Sequence, residues 1–172
     1  MKTTIRKCNM NDLQVLRDLA HETYDDSFRA LNTPETMDAY LAEAFDLQKI
    51  QMELETPQSE FYFLYADDKL AGFIKINDVP AQTDINDPDS LELERIYVKS
   101  EFKRHGLGTV LIQYAEDIAA ARGKQYVWLG VWEQNPKAIA FYEKMGYREF
   151  DRHTFRMGDE LQSDLVMKKD LK

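Results

Sequence analysis

Apolar and polar positions alternate from Thr3 to Cys8, as in a short half-buried strand, and the spacing then changes to three and four. Leu13, Leu16, Leu19 and Ala20 make one stripe of a helix that Asn9 or Asn11 can cap, and the polar stretch Tyr24-Asp25-Asp26-Ser27 ends or bends it. A second helix is predicted from Thr33-Pro34-Glu35, where proline suits a first turn, through Tyr40, Leu41 and Phe45 towards Leu54, with Pro57 closing the region. Phe61 to Ala66 and Leu70 to Ile76, joined by Asp67-Asp68-Lys69, read as a β-hairpin of central strands. An acidic loop, Asp78 to Ser90, gives way to a strand from Leu91 to Val98.

Beyond a short hinge, Leu107, Val110, Leu111, Tyr114, Ala115 and Ile118 again fall on one helical stripe, which stops near Gly123. Gln125 to Val131 is the next strand. Asn135-Pro136 opens a further helix, asparagine as the cap and proline in the first turn, and that helix runs to Met145 and Gly146. Tyr147 to Phe155 and Ser163 to Lys168 are closing strands around a turn at Met157-Gly158-Asp159-Glu160. These elements predict an α+β fold: a mixed sheet of about seven strands with helices on both faces.

Composition narrows the picture. A chain of 172 residues without repeats, low-complexity tracts or a Gly/Ser linker is expected to form a single domain, 1–172, large enough to need no disulfide or metal. Cys8 is the only cysteine, which excludes an internal disulfide and suits a reducing cytoplasm, and His21, His105 and His153 lie on different elements with no metal-ligand spacing. No apolar run approaches the roughly 20 residues of a membrane helix, and Met1 to Lys7 lacks a signal peptide's apolar core, so a cytoplasmic protein without membrane contact is expected. Twenty-two basic residues against 31 acidic ones give a net charge of −9. That balance disfavours direct nucleic-acid binding and attracts polycationic small molecules.

The hinge stands out against this acidic background: Lys103-Arg104-His105-Gly106-Leu107-Gly108. Free N–H groups at a helix N-terminus attract anions, and two glycines let a diphosphate approach the main chain, although basic residues in a flexible surface turn would read the same way. Thr109-Val110 follows Gly108 where a P-loop needs lysine and a hydroxyl residue, and the third glycine of a dinucleotide fingerprint is absent.

The hinge resembles the Arg/Gln-x-x-Gly-x-Gly/Ala segment of the GCN5-related N-acetyltransferases, with lysine at the first position. The stretch from Asn135 to Tyr147 is similar to a second segment of that family, Asn-x-x-Ala-x-x-Phe-Tyr-x-x-x-Gly-Phe/Tyr, and the chain over nearly its whole length, the Glu22 to Phe28 region included, resembles the PaiA-type spermidine/spermine N-acetyltransferases. The resemblance implies a sheet that splays open between the strand ending at Val98 and the strand around Trp128, with acetyl-CoA in the opening. It places Ile96, Tyr97 and Val98 along the pantetheine arm, the N–H groups from Lys103 through Arg104, His105, Gly106, Leu107 and Gly108 to Thr109 at the diphosphate, and Asn135 and Tyr142 further along.

An alkylammonium of pKa about 10.4 is protonated in all but roughly one part in 10³ at neutral pH, so a base is needed; Glu92 and Glu94, two apart on one strand, are the candidates. A bulge would change whether the two face alike. The family's leaving-group acid corresponds to Tyr142. For the acceptor amine, Tyr24, Asp25, Asp26, Glu94 and Trp132 are the candidate contacts, with Tyr97 as a further aromatic face and Asp84, Asp87 and Asp89 on loops expected near the cleft mouth. The expected activity is transfer of an acetyl group from acetyl-CoA to a primary amine, most plainly a polyamine. The alternatives are a protein N-terminus or lysine as acceptor, or a non-catalytic acetyl-CoA-binding regulator. An exposed C-terminal strand would serve a homodimer.

Overall fold

The structure, a computed structural model, describes residues 1–157 and 159–171. Seven strands form one sheet: β1 (Thr3–Lys7), β2 (Ser59–Ala66), β3 (Lys69–Asn77), β4 (Ser90–Val98), β5 (Tyr126–Trp132), β6 (Arg148–Met157) and β7 (Glu160–Asp170). Their spatial order is β1-β2-β3-β4-β5-β7-β6, and only the β4–β5 pair is parallel. Five helices cover it: α1 (Leu13–Phe28), α2 (Pro34–Ala44), α3 (Leu47–Glu55), α4 (Leu107–Ala121) and α5 (Pro136–Lys144). The turn expected between β6 and β7 includes Gly158, which lies outside the described residues. No helix among the described residues is long and apolar enough to cross a membrane.

The core divides in two across the sheet. On one face Leu107, Leu111, Ile112, Ala115 and Ala119 of α4 and Tyr142 of α5 pack against Ile74, Ile76, Leu91, Leu93, Val127 and Leu129. On the other, Leu16, Leu19, Met37, Leu41, Phe45 and Ile50 from α1, α2 and α3 pack against Phe61, Phe63 and Phe73. Strands covered on both faces carry near-continuous apolar runs, which is the pattern of β2 and β3.

The helix from Leu13 ends at Phe28, one residue past the polar stretch Tyr24-Ser27, and a 3-10 turn, Arg29–Leu31, follows. Ser27 Oγ donates to Thr23 O at 2.8 Å, and Arg29 pairs with Asp25 one turn back. Two other sequence expectations change. The long helix from Thr33 to Leu54 is two, because Asp46 accepts from Gln48 N at 3.1 Å and starts α3 afresh, while Phe45 turns inward. The C-terminal strand is not an exposed edge. β7 lies between β5 and β6 with Leu165, Val166 and Met167 buried, and the outer strands are β1 and β6.

A bulge and an opening in the sheet create the site. Arg95 pairs with Lys75 and Leu93 with Ile76, which leaves Glu94 as an extra residue in β4. Leu91 and Leu93 face α4 before it, Ile96 and Val98 after it, so side-chain parity shifts by one there. On the other side of β4, pairing with β5 covers only Ser90–Glu92 against Tyr126–Trp128, and beyond those three positions the strands diverge.

Candidate active site

The divergence of β4 and β5 opens a cleft of about 1320 Å³ that runs through the sheet. One wall is the unpaired edge of β4 from Leu93 to Val98. The opposite wall is Trp128, Gly130, Val131 and Trp132 of β5 with Asp164 and Val166 of β7 behind them. The hinge and the start of α5 complete the lining together with Tyr24, Phe28, Tyr40 and Phe45.

At the hinge, Arg104 and Gly106 adopt left-handed φ angles of 69° and 74°, and α4 starts at Leu107. The N–H groups of Leu107, Gly108 and Thr109 have no intrahelical acceptor at this helix start. A methyl group on Gly106 would have nothing within 4 Å, and one on Gly108 would sit 3.4 Å from the Phe141 ring. An open main chain with free donors and the cations Lys103 and Arg104 alongside suits a diphosphate. Asn135 caps α5, accepting from Ala138 N at 3.3 Å, and also lines the cleft.

Residues 18–147 match the model of the Acetyltransferase (GNAT) family. The chain belongs to that family. It is thus an N-acetyltransferase, an acyltransferase that draws on acetyl-CoA. An uncharacterized N-acetyltransferase in the pepI 3' region of Lactobacillus delbrueckii subsp. lactis is 39% identical over 160 residues, covering 93% of this chain and 92% of the relative. The spermidine N(1)-acetyltransferase of Thermoplasma acidophilum is 28% identical over 173 residues, with 98% of each chain covered. The crystal structure of the PaiA N-acetyltransferase from Thermoplasma acidophilum in complex with coenzyme A superposes with a TM-score of 0.78 at 26% identity, covering 99% of this chain and 100% of that one.

In this GNAT cleft, most of the residues singled out from sequence come together: Ile96, Tyr97, Val98, Lys103, Arg104, Gly106, Leu107, Gly108, Thr109, Asn135 and Tyr142, with Tyr24, Asp26, Glu92, Glu94 and Trp132 in the same lining. Four do not reach it. His105 lies outside the lining, Asp25 is tied to Arg29 on its own helix, and Asp87 and Asp89 stay in their loop, where Asp87 accepts from Tyr126 Oη at 2.8 Å. Asp84 does reach the cleft, carried there by a loop that folds back on β4.

The two β4 glutamates face the same side, joined by Asn77 Nδ2, which donates to both at 2.8 Å. Their electrostatics differ. Glu92 accepts from Thr83 N at 2.8 Å and Thr83 Oγ1 at 2.5 Å; burial and the charge of Glu94 nonetheless raise its carboxyl above the ordinary glutamate value. Burial also works to raise Glu94, but Arg95 and Lys75, whose Nζ lies 2.6 Å away, outweigh it and hold that carboxyl below the usual range. Tyr142 is buried on α5, and burial alone pushes its phenol up. Trp132 packs edge-on against Phe28 at 5.6 Å, and its Nε1 has no acceptor among the described residues.

Sequence reasoning missed Asp164, the carboxylate of the β5–β7 wall. It also missed Tyr40, whose ring stacks on Tyr24 at 4.9 Å.

Proposed function

We propose that the protein acetylates a primary amine of a small polycationic acceptor, a polyamine such as spermidine or spermine, at this cleft. The observation that carries the reading is that one cleft joins the cations and free N–H groups of the hinge to the carboxylates Glu92, Glu94 and Asp164 and the rings of Tyr24, Tyr40 and Tyr97. An anionic coenzyme and a cationic amine thereby each find matching groups in the same cleft, where their reacting groups can meet. The similarity over nearly the whole length to a protein named a spermidine N-acetyltransferase supports the same acceptor class.

Each step has a residue. The hinge N–H groups hold the diphosphate, and the edge of β4 from Ile96 to Val98 takes the pantetheine arm. Freeing the amine from its ammonium form costs about 4–5 kcal/mol at neutral pH, so a cleft carboxylate must accept its proton. Of the β4 pair Glu92 suits that task better, because its proton affinity is raised while Glu94 is neutralised by Lys75 and Arg95. An unpaired N–H of the β4 edge stabilises the oxyanion as the amine nitrogen bonds to the thioester carbon. As the C–S bond breaks, Tyr142 gives its proton to the departing sulfur, and the newly bonded nitrogen releases its second proton, which restores the phenol.

Steady-state kinetics with acetyl-CoA against spermidine, spermine, a short monoamine and short peptides tests the reading. The expected result is the highest kcat/KM with a polyamine. Preference for a peptide N-terminus or lysine would replace it with protein acetylation, and absence of turnover with every acceptor would leave a coenzyme-binding protein without this activity.

A further inference from the structure

Five carboxylates reach the cleft wall: Asp26, Asp84, Glu92, Glu94 and Asp164. Four have partners. Asp26 accepts from Ser100 Oγ at 3.2 Å, Asp84 faces His153 Nε2 at 2.7 Å, Asn77 and Thr83 hold Glu92, and Lys75 and Arg95 hold Glu94. Asp164 has no hydrogen-bond donor or ion-pair partner among the described residues; burial pushes its carboxyl up to about 6, and His153, cross-strand from it, pulls weakly the other way. A half-buried carboxylate without a donor is costly to keep charged, and a cationic ligand that supplies the missing partner relieves that cost.

The surroundings of Asp164 suit a cation. In register it lies opposite Trp132 of β5 and His153 of β6. Gly130, diagonal to it, leaves the floor open: a methyl group added there would sit 3.6 Å from Asp164 Oδ2. Tyr24 from α1, Tyr40 from α2 and Tyr97 from β4 face it across the cleft. Burial first raises all three phenols and Asp164 adds to that, while Arg95, which Glu53 and Glu94 neutralise, pulls Tyr40 and Tyr97 the other way. Tyr24 stacks on Tyr40 and lies 6.3 Å from Tyr97, so the rings form one continuous aromatic wall. Ammonium groups are bound by just such a pairing of aromatic surface with one anion.

We propose that Asp164 anchors the acceptor: its carboxylate holds an ammonium group of the amine other than the one acetylated, against the wall of Tyr24, Tyr40 and Tyr97. The distance from the reaction centre selects the second nitrogen. The acetyl group must lie where β4 and β5 part, and β7 is a further strand away, on the order of 10 Å from the β4 edge. A monoamine bound for reaction leaves that position empty; a diamine or polyamine fills it. The inference rests on the amine-acetyltransferase reading above and names the residue that would set preference for polycations.

The test is calorimetric titration of spermidine into the coenzyme A-bound protein, for the wild type, Asp164→Asn and Asp164→Glu, with turnover of spermidine and of a short monoamine measured alongside. Asp164→Asn is expected to weaken spermidine binding about ten- to hundredfold, while kcat/KM for the monoamine changes less than about threefold. Asp164→Glu should recover part of the affinity. Spermidine stays fully protonated below neutrality, so wild-type affinity should fall as pH drops through about 6, where Asp164 gains its proton, and the Asn variant should lack that step. Unchanged coenzyme A binding in both variants reports that they fold. Equal spermidine affinity in wild type and Asp164→Asn overturns the proposal, as does equal loss of monoamine and polyamine turnover, or a wild type that binds no polyamine. Failure of the underlying reading looks different: no amine of any kind would be acetylated, even though spermidine binds.

Discussion

Tyr142 is where one atom separates two explanations of the same residue. Its ring belongs to the core beneath α4 and α5, 5.4 Å from Phe141 and 6.2 Å from Tyr147, so phenylalanine should keep the packing while removing the proton. Tyr142→Phe is expected to lower kcat by about a hundredfold and leave the calorimetric Kd for acetyl-CoA within about twofold, because general-acid catalysis contributes on that scale and one hydroxyl is a small part of a coenzyme-sized contact. A variant with wild-type kcat would remove Tyr142 from the mechanism. Asp164 makes a second prediction, in stability. Its carboxyl is raised to about 6 from an ordinary 3.8, so between those values the folded protein retains a proton that the unfolded chain has released, and this group's contribution to stability falls as pH rises. Asp164→Asn should therefore be the more stable protein at about pH 7.5, by about 1–2 kcal/mol or some 2–6 °C in Tm, with the difference closing near about pH 4 in thermal melts. A melting curve identical to wild type at both values would contradict the buried, unpaired state of the carboxylate. Tyr142 was legible in the sequence because it sits inside a recognisable segment. Asp164 was not: a single aspartate in Ser163 to Lys168 looks like one solvated position of an alternating strand. It is inward only because β7 inserts beside β5, and one hint was available, since the unbroken Leu165-Val166-Met167 run already implied a strand covered on both faces.

At the scale of elements, local chemistry was readable and the breaks were less so. The β2–β3 hairpin, α4 behind its glycine hinge and α5 behind Asn135-Pro136 follow from turn and cap residues that leave little choice, and Asp67 and Asp68 take the two positive φ angles of a tight hairpin turn. The split between α2 and α3 went unread because Phe45 continues the apolar stripe while Asp46, one residue on, restarts the helix. The joint of greatest functional weight is the hinge. Gly106 sits at φ +74° with open space where a side chain would go, so alanine there meets no clash and acts only through the backbone, at a cost of about 1–2 kcal/mol. A hinge can relieve that strain by reverting to negative φ, which would turn the N–H groups of Leu107, Gly108 and Thr109 away from a shared ligand. Gly106→Ala is accordingly expected to lower Tm by only a few degrees yet weaken acetyl-CoA binding about tenfold, read by thermal melting and calorimetry on the same preparation. Undiminished affinity would mean that the diphosphate is held elsewhere.

For the molecule as a whole, sequence periodicity supplied seven strands and two covered faces, whereas the strand order came from long-range pairing that no local pattern encodes. The same order explains why the sheet can open. β4 is held along its length by β3 and β5 along its length by β7, but the two hold each other over only three positions. Each half of the sheet is thus paired within itself, and α4 packs across β3, β4 and β5 on one face and so spans the two. Backbone groups of Leu93–Val98 and Leu129–Trp132 that point into the gap lack strand partners, so their amides should exchange with solvent faster than those of the doubly paired β2 and β3. An amide-bearing pantetheine arm laid between the edges supplies the missing pairing. At a hundredfold excess over Kd, acetyl-CoA should stabilise the protein by about 2.7 kcal/mol, some 5–10 °C in Tm. Hydrogen exchange should then slow in the two gap-facing segments and at residues 104–109, while the outer strands β1 and β6 keep their rates. Protection gained along β1 or β6 instead would place the coenzyme outside the splay, whereas protection confined to the gap would identify the three-position β4–β5 contact as the joint about which the two halves bind their ligand.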